Sequence, residues 1–411
     1  MALKFIYYDK TKVAVLEDDG NVSFDSEGIK HCGMPPLWVP RIRELLENSL
    51  PEGLRRDALV RLAVKNGAKP GMALELVPYL SELPGRFSVG GDDAFADGQK
   101  TAFRAFSPLP AAHPRGARVE SRLPVSFFDP LSERRIDTKP SFSGYQDKFT
   151  ANLKLDSDGF LALTETDQET ERGNVIVKPA HPKYPFIGEN EYLCMELARN
   201  AGLPVPRVFL FRQPGIALEP RHIAVERFDV RVLDGTPVVL DISELASLMG
   251  LSSRNKYDTT TEQFFGLAKS IFSPEDMRTF AKAYLFGCIV RNGDMHAKNF
   301  SAAYREGKYF LSPVYDMVNT EVYGDDSLLA LPLEGEYSPK PANVVKFFLA
   351  HLTAEDIEST ALSVRKNLEE CAETTFSATS RPNVSKFRKT LEQSISGGAS
   401  RILRAVRFDL V

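Results

Sequence analysis

Cysteine is scarce in this chain of 411 residues: Cys32, Cys194, Cys288 and Cys371 lie far apart, with no C-x-x-C pair. Such spacing supports neither a disulfide framework nor a zinc ribbon, so the four are read as reduced, buried thiols. An excess of one charge is missing too. With 51 basic against 55 acidic residues the net charge is −4, which gives no ground for general polyanion binding and leaves only a local basic face open. No apolar run approaches the ~18 residues that cross a bilayer. The opening stretch, Met1–Tyr8, reads as a strand and lacks the apolar core and small-residue cleavage site of a signal peptide. A cytoplasmic protein with no membrane partner is expected. Internal repeats and low-complexity tracts are absent as well, which excludes solenoids and disordered linkers as the dominant plan.

What is present is ordinary globular chemistry, 43% hydrophobic and 26% charged, in a chain long enough for two or three domains. Alternation over Leu3–Tyr8, Val13–Glu17 and Asn21–Phe24 predicts a small antiparallel sheet. From Pro40 the period turns helical, with a break at Pro51-Glu52-Gly53 and a further short helix over Ala73–Leu80. Residues 1–100 therefore read as a companion domain without visible chemistry. Six prolines between Pro108 and Pro140, mixed with arginines, mark 101–140 as a connector whose cations are more simply a solvated face than a nucleic-acid site.

The unit at 141–240 opens with a small, hydroxyl-rich loop, Ser141-Phe-Ser-Gly-Tyr-Gln-Asp-Lys148, ahead of an alternating segment. Such a loop can turn backbone N–H groups toward phosphate, or it can be a plain hairpin turn. Val175–Pro179 is a short buried-type strand carrying Lys178, whose ammonium needs an anion or a route to solvent. The helix that follows, Glu189–Arg199, offers Glu189 and Glu191 as partners, and the sequence does not choose between them. Ile223–Leu233 and Pro237–Leu240 predict a hairpin around Asp234-Gly235. From Asp241 to 411 the chain reads as mostly helical: Asp241–Met249, Thr261–Ile271, Pro274–Val290, Thr353 to about Cys371, Val384–Ser394 and Ala399–Val406. Ser273-Pro274-Glu275-Asp276 supplies a hydroxyl cap, proline at the first position and acids in the first turn.

The helix of Pro274–Val290 delivers the chain to Asn292-Gly-Asp-Met-His-Ala-Lys-Asn299, and Asp316 follows a predicted hairpin over Ser301–Phe310. A carboxylate to accept a hydroxyl proton, with an amide and a second carboxylate to hold magnesium on ATP phosphates, is the chemistry these residues suit in that order. Asp294 and Asn299 alone are as easily a turn and its cap. A metal hydrolase using Asp294, His296 and Asp316 is the rival, disfavoured because hydrolytic zinc sites draw on more histidines than one.

Taken together, the Ser141–Lys148 loop, Val177-Lys178-Pro179, Glu189-Asn190-Glu191-Tyr192, Val225-Glu226-Arg227-Phe228-Asp229, Asn292–Asn299 and Ser312-Pro-Val-Tyr-Asp316 resemble the HipA-type toxin kinases of bacteria. Leu50-Pro51-Glu52-Gly53 is similar to their N-terminal motif, while Leu83–Gly91 departs from the family's pattern. The resemblance implies an α+β, two-lobed protein-kinase-like fold, with a mixed α/β N-lobe over 141–240, a mostly helical C-lobe over 241–411 and an added N-terminal subdomain. It implies an ATP- and Mg2+-dependent serine/threonine protein kinase of a type II toxin–antitoxin module. Its expected partners are a HipB-like helix-turn-helix antitoxin, operator DNA mainly through that antitoxin, and a translation-related protein substrate such as an aminoacyl-tRNA synthetase.

By the same resemblance, Asp294 is the catalytic base, and Asn299 and Asp316 are the metal ligands. ATP contacts fall to the loop residues Ser143, Gly144, Tyr145, Gln146, Asp147 and Lys148, to Lys178, and to Glu226, Arg227 and Phe228 as the adenine-side hinge. His296, Ala297, Lys298, Asn299, Tyr315 and Asp316 border the nucleotide. Ser141, with Ser143 second, is the expected autophosphorylation acceptor, where a phosphate would compete with ATP for the loop's N–H groups. Tyr-Asp-Met in place of Asp-Phe-Gly gives no ground for control by an activation-loop phosphate. Two alternatives stand beside this: a catalytically silent nucleotide-binding regulator acting with an antitoxin on DNA, and a small-molecule kinase.

Overall fold

The computed structural model describes residues 4–9, 11–16, 22–50, 53–65, 76–77, 83, 86–90, 106, 108–109, 119–128, 148–158, 160–166, 173–213, 221–233, 236–377 and 382–408. The chain opens with an antiparallel sheet, order β3-β2-β1-β4, from β1 (Lys4–Tyr8), β2 (Thr11–Leu16), β3 (Val22–Phe24) and β4 (Phe87–Gly90). Its alternation places Ile6 and Tyr8 inward, where Tyr8 and Phe87 meet Trp38, the latter two rings stacked at 5.8 Å. Helices α1 (Ser26–His31), α2 (Ile42–Asn48) and α3 (Gly53–Lys65) complete this part. It packs on the strand that begins at Asp241. Arg86 pairs with Asp241 at 2.9 Å, Trp38 Nε1 donates to Ser243 Oγ, and Asn48 donates to Ser247 Oγ.

The second unit is a closed barrel, β10-β8-β6-β7-β5-β9, formed by β5 (Val119–Ser121), β6 (Phe149–Leu155), β7 (Leu161–Thr164), β8 (Val175–Lys178), β9 (Val208–Arg212) and β10 (His222–Glu226). Phe149, Leu153, Leu163, Val177 and Phe211 fill it. Closure removes the unpaired edges that short strands would otherwise expose. The stretch read as a connector over 101–140 thus contributes β5, which lies parallel to β7 and β9. Helix α4 (Ile187–Asn200) joins β8 to β9 outside the barrel and is buried along most of its length.

Beyond the barrel, β11 (Val230–Leu233) and β12 (Thr236–Val239) form the expected hairpin, but the long strand predicted over 223–233 is broken at Arg227-Phe228-Asp229, so β10 belongs to the barrel. The helix predicted over 241–249 begins as a strand. Residues 241–244 form β13, antiparallel to β14 (Ser301–Arg305), which pairs in turn with β15 (Lys308–Leu311); only α5 (Leu245–Leu248) is helical. Helices α6 (Thr261–Ile271) and α7 (Pro274–Val290) have the expected bounds, with Thr260 and Ser273 as side-chain caps. After α8 (Pro341–Phe348), α9 (Ala354–Phe376) extends past Cys371, and α10 (Pro382–Phe408) is one helix where two were expected.

The Gly397-Gly398 pair inside α10 explains that difference. A Cβ on Gly398 would stand 2.1 Å from the carbonyl oxygen of Ile289, so the glycine lets α10 approach the end of α7. Their contact joins the main core, which runs from Trp38 through α4 to Phe264, Phe280 and Leu391. No helix among the described residues is long and apolar enough to cross a membrane.

Candidate active site

Helix α7 ends at Val290, as expected, where Arg291 turns into the left-handed region at φ 63°. Gly293 follows, and its place is fixed by packing: a Cβ would meet Ser327 O at 2.5 Å. Its N–H donates to Thr320 Oγ1 at 2.8 Å. Asp294 then projects into a cleft, its side chain 55% accessible. The 3-10 turn Ala297–Asn299 completes the loop, and Asn299 Oδ1 accepts the His296 N–H at 3.2 Å. Cleft walls around Asp294 limit hydration of its charge and raise its carboxyl, opposed by the Tyr257 hydroxyl, which donates to it at 2.7 Å.

The opposite wall is the end of β8. Lys178, nearly inaccessible, donates to Glu191 at 2.5 Å and also to Asp316, while Lys148 lies 3.6 Å from the other oxygen of Asp316. Burial would push the carboxyl of Asp316 up, but the two ammonium groups outweigh it and hold it ionised well below the usual carboxylate range. Burial likewise opposes charge on Lys178, and the Asp316 and Glu191 carboxylates overcome it and keep the ammonium protonated. Asp316 itself sits at φ 55°, a conformation uncommon for a non-glycine residue and often found at functional sites. Glu189, the other candidate partner, faces Arg221 at 3.3 Å. The choice left open between Glu189 and Glu191 is settled for Glu191.

Along the third side, Phe228 packs on Tyr315 with ring centroids 5.6 Å apart. The Tyr315 hydroxyl donates to Lys298 O at 3.0 Å and accepts from Ser301. Arg227 turns back on Asp229 at 2.7 Å, and Glu226 is engaged by Arg207 at 2.8 Å. The Lys298 ammonium donates to Ser253 Oγ at 2.5 Å, with Glu244 at 3.8 Å.

A single cleft of about 850 Å3 gathers these groups: Lys148, Lys178 and Glu191 on the barrel side, Glu226, Arg227 and Phe228 at the break, Asp294, His296, Lys298 and Asn299 on the loop, then Tyr315 and Asp316. Ala297 is the exception, fully buried in the core and off the wall, because the 3-10 turn points it inward. Ser141, Ser143, Gly144, Tyr145, Gln146 and Asp147 lie outside the described residues. Tyr257, Thr320 and Asp325 line the cleft without having been singled out in the sequence, as do Leu45 and Asn48 of the N-terminal part. Tyr257 had no motif to flag it; Thr320 sits four residues after Asp316, inside a stretch that a longer motif window would have covered. Among the described residues, no three His, Cys, Asp or Glu side chains form a group able to hold a metal ion. Two hard oxygen donors on the cleft wall, an amide and a carboxylate, are what a magnesium ion shared with phosphates asks of a protein.

Residues 140–380, more than half of the chain, match the HipA-like C-terminal domain. The chain belongs to the HipA-like family. Among relatives, it is 29% identical over 361 residues to Y4dM of Sinorhizobium fredii, named as a candidate kinase, across 84% of this chain and 75% of that one. It is 28% identical to the serine/threonine-protein kinase toxin HipA of Shewanella oneidensis over 227 residues, about half of each protein. A chain of the solved Shewanella oneidensis MR-1 complex of HipA, HipB and operator DNA superposes with a TM-score of 0.68 over 98% of both chains, at 17% identity. At that identity the likeness is one of fold. A mixed α/β HipA-like architecture is thereby established.

Proposed function

We propose that this HipA-like chain is an ATP- and magnesium-dependent serine/threonine protein kinase, with the barrel as the small lobe, the helical region as the large lobe and residues 4–90 as an added subdomain. The observation that carries this reading is the Glu191–Lys178–Asp316 chain across the cleft from Asp294. A buried ammonium flanked by carboxylates is placed to meet anionic phosphate oxygens when one carboxylate turns to a cation. In this role Lys178 and Lys148 bind phosphate, Glu191 orients Lys178, and Asn299 and Asp316 hold magnesium. The ion, when bound, neutralises charge on the transferring phosphoryl group. Asp294 orients the acceptor hydroxyl and takes its proton; the cleft walls that raise its carboxyl make it a stronger base than a freely solvated aspartate.

Glu226, Arg227 and Phe228 form the adenine side through backbone and ring, with Tyr315, His296 and Lys298 bordering the nucleotide. We assign Ser143–Lys148 to the triphosphate and Ser141 or Ser143 to autophosphorylation. A HipB-like antitoxin and operator DNA through it are proposed partners after the solved HipA, HipB and operator DNA complex, and a translation-related substrate is proposed from the resemblance of the sequence motifs alone. Incubation with γ-labelled ATP and a bacterial lysate tests the substrate class. Label in protein bands supports the reading; label confined to small products indicates a small-molecule kinase, and nucleotide binding without transfer indicates a silent regulator.

A further inference from the structure

Three parts of the cleft must keep their mutual placement: α4, which carries Glu191; the segment after β15, which carries Asp316; and the loop after α7, which carries Asp294. They are far apart in sequence, yet one buried amide touches all three. Asn319, with no accessible surface, donates through Nδ2 to Val290 O at 2.8 Å, where α7 ends, and to Ser394 Oγ of α10 at 2.7 Å. Its backbone N–H donates to Asn190 Oδ1 at 3.0 Å while its carbonyl accepts from Asn190 Nδ2 at 2.8 Å. Asn190 is the residue before Glu191 and is fully buried as well. Next in the chain, Thr320 donates its N–H to Arg291 O at 3.0 Å and accepts the Gly293 N–H on Oγ1.

We propose that Asn319 and Thr320 form a positioning strut that sets the separation between Asp294 and Asp316 and ties both to the Lys178–Glu191 pair, an inference that rests on the phosphoryl-transfer reading above. Helix ends leave carbonyls without intrahelical partners, and α7 hands one of these, Val290 O, to Asn319. The turn of Arg291–Gly293 is therefore held by side chains from the segment that holds Asp316, so a shift of one carboxylate moves the other. Neither strut residue needs to touch the reacting atoms. A merely structural role predicts loss of stability alone, whereas a positioning role predicts a fall in kcat with KM for ATP nearly unchanged, because displacements near 1 Å can cost about 100-fold in rate.

The test uses the full chain with Thr320→Val, Asn319→Ala and Ser394→Ala, the last removing the α10 hydroxyl that meets Asn319 Nδ2 and Glu321 while leaving the bonds of Asn319 to Val290 and Asn190 and those of Thr320 to Arg291 and Gly293 in place. Steady-state kinetics with Mg·ATP are paired with hydrogen exchange of the backbone amides of 291–295, which reads the strut without any turnover. Expected for Thr320→Val are a kcat loss of about tenfold or more, KM for ATP within about threefold, and faster exchange in 291–295. Ser394→Ala should leave kcat at the wild-type value. Unchanged kcat together with unchanged exchange in Thr320→Val overturns the proposal, as does an equal kcat loss in Ser394→Ala; if Asn319→Ala does not fold, Thr320→Val still decides. A wild-type chain that transfers no phosphate overturns the functional reading and the kinetic role together, and the exchange comparison then shows separately whether the strut exists.

Discussion

Replacing Lys178 by Met should destabilise the fold far more than replacing its partner Glu191 by Gln, although the two side chains form one ion pair. The pair is buried on both sides, at 6% and 4% side-chain exposure. Removing the lysine leaves the Glu191 carboxylate in a low-dielectric site with no cation in contact, a change that costs about 3–5 kcal/mol in comparable buried pairs. Asp316 keeps Lys148 at 3.6 Å and is less affected. Glu191→Gln, by contrast, leaves the Lys178 ammonium bonded to Asp316 and still offers it an amide oxygen, for a cost of about 1 kcal/mol. A Lys178→Met, Glu191→Leu double variant removes the orphaned charge and should recover much of the loss. The pH dependence has a definite sign. In the native chain Lys178 is raised above its ordinary value, so its contribution is complete below the unfolded lysine pKa of about 10.4 and constant from pH 5 to 8. In Lys178→Met, Glu191 is raised further by burial, so its penalty is present above about pH 4.3 and is relieved as protonation removes the charge. Urea unfolding at pH 7 and pH 5 reads both effects: the gap to wild type should narrow at pH 5. Equal losses for the two single variants, or a gap that widens on acidification, would refute the reasoning.

Tyr257→Phe removes the hydrogen bond that favours the ionised form of Asp294. The acid limb of the kcat–pH profile should move to higher pH, and a limb that stays or moves down contradicts the assignment of Asp294 as base. In α10, Gly397→Ala meets only the end of the Arg401 side chain at 3.4 Å and should stabilise by up to about 1 kcal/mol, while Gly398→Ala strikes the Ile289 carbonyl and should destabilise by about 1–3 kcal/mol despite the same gain in helix propensity. Denaturation midpoints of opposite sign are the expected result. Phosphopeptide mapping after incubation with ATP should place the label on Ser141 or Ser143; label elsewhere removes the loop from the account.

Local signals carried much of the fold. Ser273-Pro274-Glu275-Asp276 contains its own start signal, and α7 begins where those residues put it. The Asn292–Asn299 loop and Asp316 were legible as a set because their order along the chain matches the order the chemistry uses. What failed to show was set by distant partners. Residues 241–244 are a strand because they pair with 301–304, sixty residues on, and no local period reports that. Glu189 and Glu191 lie two residues apart, about 200° around the helix, so one meets Arg221 and the other Lys178. Their helical pattern is common to both, and only the packing of α4 on the barrel separates them. The glycines of α10 look like a helix stop in one dimension and are a contact surface in three. Tyr257, in the loop before α6, reaches Asp294 across 37 positions with no spacing that anticipates it.

The central claim is that Asp294 acts as base opposite a phosphate-binding lysine, and transfer of γ-label from ATP to protein by wild type and by Asp294→Asn tests it most directly. The amide keeps the shape of the carboxylate and cannot take a proton, so transfer should fall to background while nucleotide binding persists. Equal labelling by the two proteins would contradict the account.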